Sequence, residues 1–107
     1  TLREARELWE RAWQEGKAER DLATLGRLAA RGRLRLLLSR RDRRLWGRYD
    51  RATGEMERVQ VDGDDPGPEA VHLLDEVAET VLLHGGRALV LDAEHMPVEG
   101  PAAGILW

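Results

Sequence analysis

The stretch 70–92, AVHLLDEVAETVLLHGGRALVLD, constrains this chain more than any other. Val71, Leu74, Ala78, Val81 and Leu82 recur at helical spacing and make one apolar stripe, with Asp75, Glu76 and Glu79 on the opposite side. Upstream, Pro66 and Pro68 favour a first-turn start, with Asp65 or Gly67 as the N-cap. Downstream, Gly85 and Gly86 supply the left-handed residue that ends a helix without a side-chain clash. Ala88, Leu89, Val90 and Leu91 then read as a buried strand. A helix that passes through a glycine turn into a short apolar strand is an α/β half-unit. The rest of the chain has to supply the sheet this strand joins. The expected core is Leu36, Leu38, Leu74, Ala78, Val81, Leu89 and Leu91, mutually buried around that sheet.

The preceding residues offer the necessary elements. Leu2, Ala5, Leu8, Trp9, Ala12 and Trp13 lie three and four apart, which predicts an amphipathic helix over 2–14. Gly16 interrupts the pattern. A second helix is expected from Ala18 to Ala30, with Gly32 as its C-cap. The period then changes: Arg33 to Ser39 alternates and closes in an apolar run, predicting a strand whose arginines reach solvent. RRDRR, residues 40–44, is a polar break. Residues 45–50 and 56–61 read as a hairpin, with Gly54 at the loop position that needs positive φ. After a proline- and glycine-containing loop, Ala102 to Trp107 predicts a last strand in a tight central position, where small residues are needed. At 107 residues the chain fits one domain, with residues 1–16 as an N-terminal helix and 17–107 as the α/β body. Thr1 is not an initiator methionine, so a domain cut from a longer chain is the expectation.

Composition excludes more than it selects. There is no cysteine, hence no disulfide or thiolate chemistry. No apolar run approaches membrane-spanning length and no signal peptide is evident, so the expected location is cytoplasmic. Arginine occurs 16 times and lysine once, consistent with GC-rich codon usage or with thermophilic ion pairing. The net charge of −3 hides an asymmetry: nine arginines fall in residues 31–51, and twelve acids in residues 55–107. Such a dipolar domain can present a basic face to RNA or to an acidic partner, or the arginines can pair with their own carboxylates. Asp62, Asp64 and Asp65 do not follow a calcium-loop pattern and are expected to turn the chain and cap a helix. His72, His84 and His95 follow no zinc spacing, and each is expected at a surface or helix end. Ser39 is the only serine, and no nucleophile, base and oxyanion donors can be assembled. No catalytic residue, metal or cofactor is expected.

Three segments occur in a recognisable order: LAARGRLRLLLS at 28–39, VLLHGGRALVLD at 81–92 and GPAAGILW at 100–107. Together they resemble the C-terminal domain of the archaeo-eukaryotic release factor and Pelota superfamily, in its bacterial release-factor-like branch. The resemblance covers the chain from Ala18 onward. It implies a single-domain α/β/α sandwich with a mixed sheet, of the kind shared by ribosomal protein L7Ae and the third domain of release factors. It also implies a role in translation. The catalytic Gly-Gly-Gln of true release factors belongs to another domain of that family, and Gly85-Gly86-Arg87 is not its equivalent. The kink-turn RNA binders of this fold carry Gly-Asn-Glu followed by lysine in the helix before the 33–39 strand. Here residues 21–27 read DLATLGR, and only Arg27 matches in charge. The resemblance therefore points to a non-catalytic module that contacts a protein, such as a ribosome-associated or translation factor. Direct RNA binding is the alternative, through Arg27, Arg31, Arg40, Arg41, Arg43 and Arg44.

Overall fold

The computed structural model describes residues 2–59, 67 and 70–107. In chain order the elements are α1 (Leu2–Gln14), β1 (Ala18–Glu19), α2 (Leu22–Ala30), β2 (Leu34–Arg40), β3 (Trp46–Tyr49), β4 (Met56–Arg58), β5 (Val71–His72), α3 (Leu73–Leu83), β6 (Arg87–Leu91) and β7 (Ala102–Leu106). A single 3₁₀ turn, Ala93–His95, follows β6. The main sheet has the order β1-β7-β2-β6, in which β2 and β6 run parallel and the other pairs antiparallel. A smaller antiparallel sheet has the order β4-β3-β5. The chain is thus a mixed α/β domain with a mixed main sheet and, among the described residues, three α-helices.

The main sheet buries both faces, each in its own apolar cluster. Leu25, Leu34, Leu37, Leu74, Val77 and Val81 pack between the sheet and the α2/α3 pair. Ala5, Trp9, Leu36, Leu38, Met96 and Ile105 pack between the sheet and α1. The run of leucines in β2 serves both faces through an irregularity. The pairing of β2 with β7 shifts register between Leu34 and Leu36. That shift leaves Arg35 in solvent and sends Leu34 and Leu36 to opposite faces, which a regular strand would not do.

The small residues of β7 behave as their size predicts. β7 lies between β1 and β2, Ala102 and Ala103 are fully buried, and a Cβ on Gly104 would stand 2.3 Å from the Leu25 side chain. Only glycine lets α2 sit this close to the strand. The predicted α1, hairpin and glycine-ended third helix are also present, and Gly54 and Gly85 take φ of +81° and +88°.

Several expectations need correction. Ala18 and Glu19 are extended, not helical: they pair with Ile105 and Gly104 of β7. α2 starts only at Leu22 because Asp21 caps it, accepting hydrogen bonds from Thr24 N at 3.0 Å and Thr24 Oγ1 at 2.7 Å. α3 likewise starts at Leu73, after Val71 and His72 pair with Gly47 and Trp46, so His72 holds the N-cap position that Asp65 or Gly67 was expected to fill. Leu89 is not core: β6 is an edge strand, and Leu89 is 39% exposed. Leu82, assigned to the apolar stripe, is exposed as well, and Ala78 is only partly buried. The remaining expected core residues are buried but divided between the two faces, Leu74 and Val81 on one and Leu36, Leu38 and Leu91 on the other. Asp62, Asp64 and Asp65, together with residues 60 and 61 of the second hairpin strand, lie outside the described residues.

Candidate functional site

The arginine-rich break 40–44 forms the turn that leaves the carboxyl end of β2. Its backbone is tied to both neighbouring strands: Arg40 N donates to Pro101 O, just before β7, and Arg41 N donates to Leu91 O at the end of β6. Two of its four guanidiniums are held in place. Arg40 forms a two-pronged pair with Asp42, at 2.7 and 2.9 Å, and also donates to Glu99 O at 3.2 Å. The two-pronged bond to Arg40 holds the Asp42 carboxyl below the ordinary carboxylate value. Arg41 reaches Asp92 at 3.0 Å and Val90 O at 3.4 Å.

The same pattern continues through the hairpin. Arg48 lies 3.6 Å from Glu57, directly across the β3–β4 ladder. Arg51 joins the hairpin loop to α3 by bonding both Glu76 and Glu79. By contrast, the side chains of Arg43, Arg44 and Arg31 have no hydrogen bond or ion pair to any partner among the described residues. Arg44 and Arg31 are exposed and Arg43 is half-buried, with its carbonyl 3.3 Å from His72 Nε2.

The six candidate contacts do not form one patch. Arg40, Arg41, Arg43 and Arg44 cluster where β2 ends, whereas Arg31 is the C-cap of α2, at the start of β2. The seven residues of β2 separate them by about 20 Å. Arg27 lies on α2 beside the hairpin: it bonds Thr24 Oγ1 at 3.4 Å, and its Cα is where a Cβ on Gly54 would collide.

The histidines stand at helix ends or in a turn, as expected. His72 precedes α3 and contacts Asp75 at 2.9 Å; His84 follows it and bonds Thr80 O at 2.9 Å. His95 joins Asp92 and Glu94 in the 3₁₀ turn, where one donor atom of each lies within 4.8 Å of the others. The sequence reading did not anticipate this convergence, although the spacing Asp-x-Glu-His in a tight turn could have signalled it. Asp92 already shares its carboxylate with Arg41, and Asp92 and Glu94 face open solvent. The only serine, Ser39, is buried in β2.

A second feature was not foreseen. α1 packs against β7 and β1 and its cluster takes in Leu36, Leu38 and Leu91, while Leu89 of β6 stays 39% exposed beside it. There a groove of about 200 Å³ opens, lined by the apolar Ala5, Leu8, Leu36, Leu89 and Ile105 and by the charged Glu4, Arg35 and Arg87. No helix among the described residues is long and apolar enough to cross a membrane. No family model matches the chain, and no characterised protein matches it in sequence.

Proposed function

We propose that this chain is a non-catalytic protein-interaction module of a bacterial translation-termination or ribosome-rescue-like factor, built on the L7Ae and release-factor third-domain plan. Helices on both faces of a mixed sheet agree with the α/β/α sandwich that this plan implies. The observation that carries a protein-binding role is the occupancy of the arginines. Arg40, Arg41, Arg48 and Arg51 are all held by carboxylates of the same domain. A phosphate backbone would have to displace those carboxylates before gaining an arginine, and would meet the displaced negative charge beside it. An acidic-and-basic protein surface can instead exchange pairs one for one.

Direct RNA binding is favoured by one observation only, the three arginines 31, 43 and 44 whose side chains make no hydrogen bond or ion pair among the described residues. The two readings separate in a binding titration with structured RNA at several salt concentrations. The protein-interaction reading expects affinity no better than for a scrambled basic control at physiological salt. The RNA reading expects tight binding that falls steeply with salt, through counterion release. It also expects Arg43→Glu with Arg44→Glu to weaken binding to all sequences alike and flatten the salt slope. Nanomolar binding of a kink-turn RNA, abolished by Arg27→Glu, would overturn the preferred reading.

A further inference from the structure

The sequence of β6, Arg-Ala-Leu-Val-Leu, has the composition of an interior strand, yet it occupies an edge of the sheet. Parallel strands are ordinarily covered on both faces. Here only Leu91 is buried; Leu89 is 39% exposed on the α1 face and Val90 is 50% exposed on the α3 face. Leu82 and Leu83 add 55% and 73% exposed leucines at the end of α3, where the chain turns into this strand. Among the described residues no strand pairs with β6 on its outer side, although the Arg41 guanidinium donates to Val90 O at 3.4 Å. None of the usual devices that blunt an edge is present within it: no proline, no bulge, no lysine, and one charged residue, at its first position.

The opposite edge is handled differently. β1 has two residues and is bordered by Lys17 and Arg20, with Glu19 within it. A short charged edge of this kind resists pairing. Among the described residues the main sheet therefore has one protected edge and one open edge, and the open one is apolar on both faces.

We propose that β6 is the seam of a homodimer, in which two copies join edge to edge in antiparallel fashion about a two-fold axis passing beside Leu89. Charge selects both the occupant and the direction. β6 begins with Arg87 and is followed at once by Asp92, whose carboxylate Arg41 already holds on one oxygen, and then by the exposed Glu94. Antiparallel self-pairing brings the basic start of one strand to the acidic end of the other, twice over. Parallel pairing would set Arg87 against Arg87 and Asp92 against Asp92. A two-fold axis perpendicular to the sheet keeps matching faces together, so directly opposed residues share parity. Centred on Leu89, this register sets the two Leu89 side chains against each other and Arg87 across from Leu91, next to Asp92. The α1-side grooves of the two copies, each containing Leu89, then merge into one trough bounded by two α1 helices. The four-stranded sheet becomes continuous through the dimer. This inference does not depend on which partner the module serves.

Sedimentation velocity across a concentration series tests it directly. The expected result is a reversible monomer–dimer equilibrium, with the amides of residues 87–91 gaining hydrogen-exchange protection as the dimer forms. Leu89→Lys sets two like charges on the axis and should raise the dissociation constant by about tenfold or more. Val90→Lys, at a half-exposed position on the other face, should do the same, so the test survives if one variant folds poorly. Arg87→Glu should weaken the dimer most at low salt, where the antiparallel charge match counts most. A wild-type chain that stays monomeric at hundreds of micromolar overturns the proposal. So does a dimer indifferent to both lysine variants, one that leaves the 87–91 amides unprotected, or a monomer that pairs β6 only with an extended peptide.

Discussion

A single carboxylate decides where α2 begins. The Thr24 hydroxyl and then the Thr24 amide bond the charged form of Asp21 and hold its carboxyl below the ordinary value. Because the folded-state pKa lies below the unfolded one, the resulting stability is fully present above the unfolded carboxylate range. It is lost as pH falls through the folded value. Asp21→Ala should therefore cost about 1 kcal/mol near neutral pH, and the gap from wild type should close in strong acid. Denaturant melts of the two proteins at several pH values would show this, and coincident curves at neutral pH would remove the cap from the account. The signal was legible, since aspartate three residues before threonine is a capping pattern, but the apolar spacing from Ala18 masked it. A second pair of substitutions tests which leucines hold the fold. Leu25 is fully buried, so Leu25→Ala should cost about 2–5 kcal/mol. Leu89→Ala, in a dilute melt, should cost less than about 1 kcal/mol, since much of that side chain is already in water.

At the level of elements, the hairpin depends on a close approach between two glycines. Tyr49 donates its hydroxyl to Gly26 O at 2.6 Å, and a Cβ on Gly54 would stand 2.5 Å from the Arg27 Cα and 2.7 Å from Gly26 O. Gly54 also sits at φ +81°, which side chains rarely tolerate. Gly54→Val should lose about 1–3 kcal/mol and lift the hairpin from α2. Amide exchange would then quicken across β3 and β4 while β2 and β7 stay protected; wild-type exchange in the hairpin would refute the contact. Periodicity revealed α1, β2, the hairpin and the end of α3, because each carries a strong apolar pattern or a glycine stop. It did not reveal β1 or β5, at two residues each too short for any pattern and defined only by the strands they meet. Nor could it place Leu34 and Leu36 on opposite faces, since the register shift that does so is a property of the pairing with β7.

For the whole molecule, the charge asymmetry of the sequence resolves into ties between distant elements. Arg41 with Asp92 links the ends of β2 and β6, and Arg51 with Glu76 and Glu79 links the hairpin to α3. These pairs are exposed to varying degrees and screened by solvent, so each contributes little to stability. Raising salt should lower the melting temperature only slightly, and a large drop would mean that the ties matter more than the core. The candidate arginines were legible as a run, but not their division between the two ends of β2, which only the fold determines. β7, the last strand along the chain, fills the slot between β1 and β2. A ribosome adds roughly 5–20 residues each second, whereas collapse takes microseconds. The nascent chain therefore spends several seconds with β2 made and its neighbour unwritten, its leucines lacking both Ala103 and Gly104. Until residue 102 is polymerised the main sheet lacks the strand that joins β1 to β2, so the fate of this domain during synthesis rests on what shelters that side of β2 while its partner is still messenger.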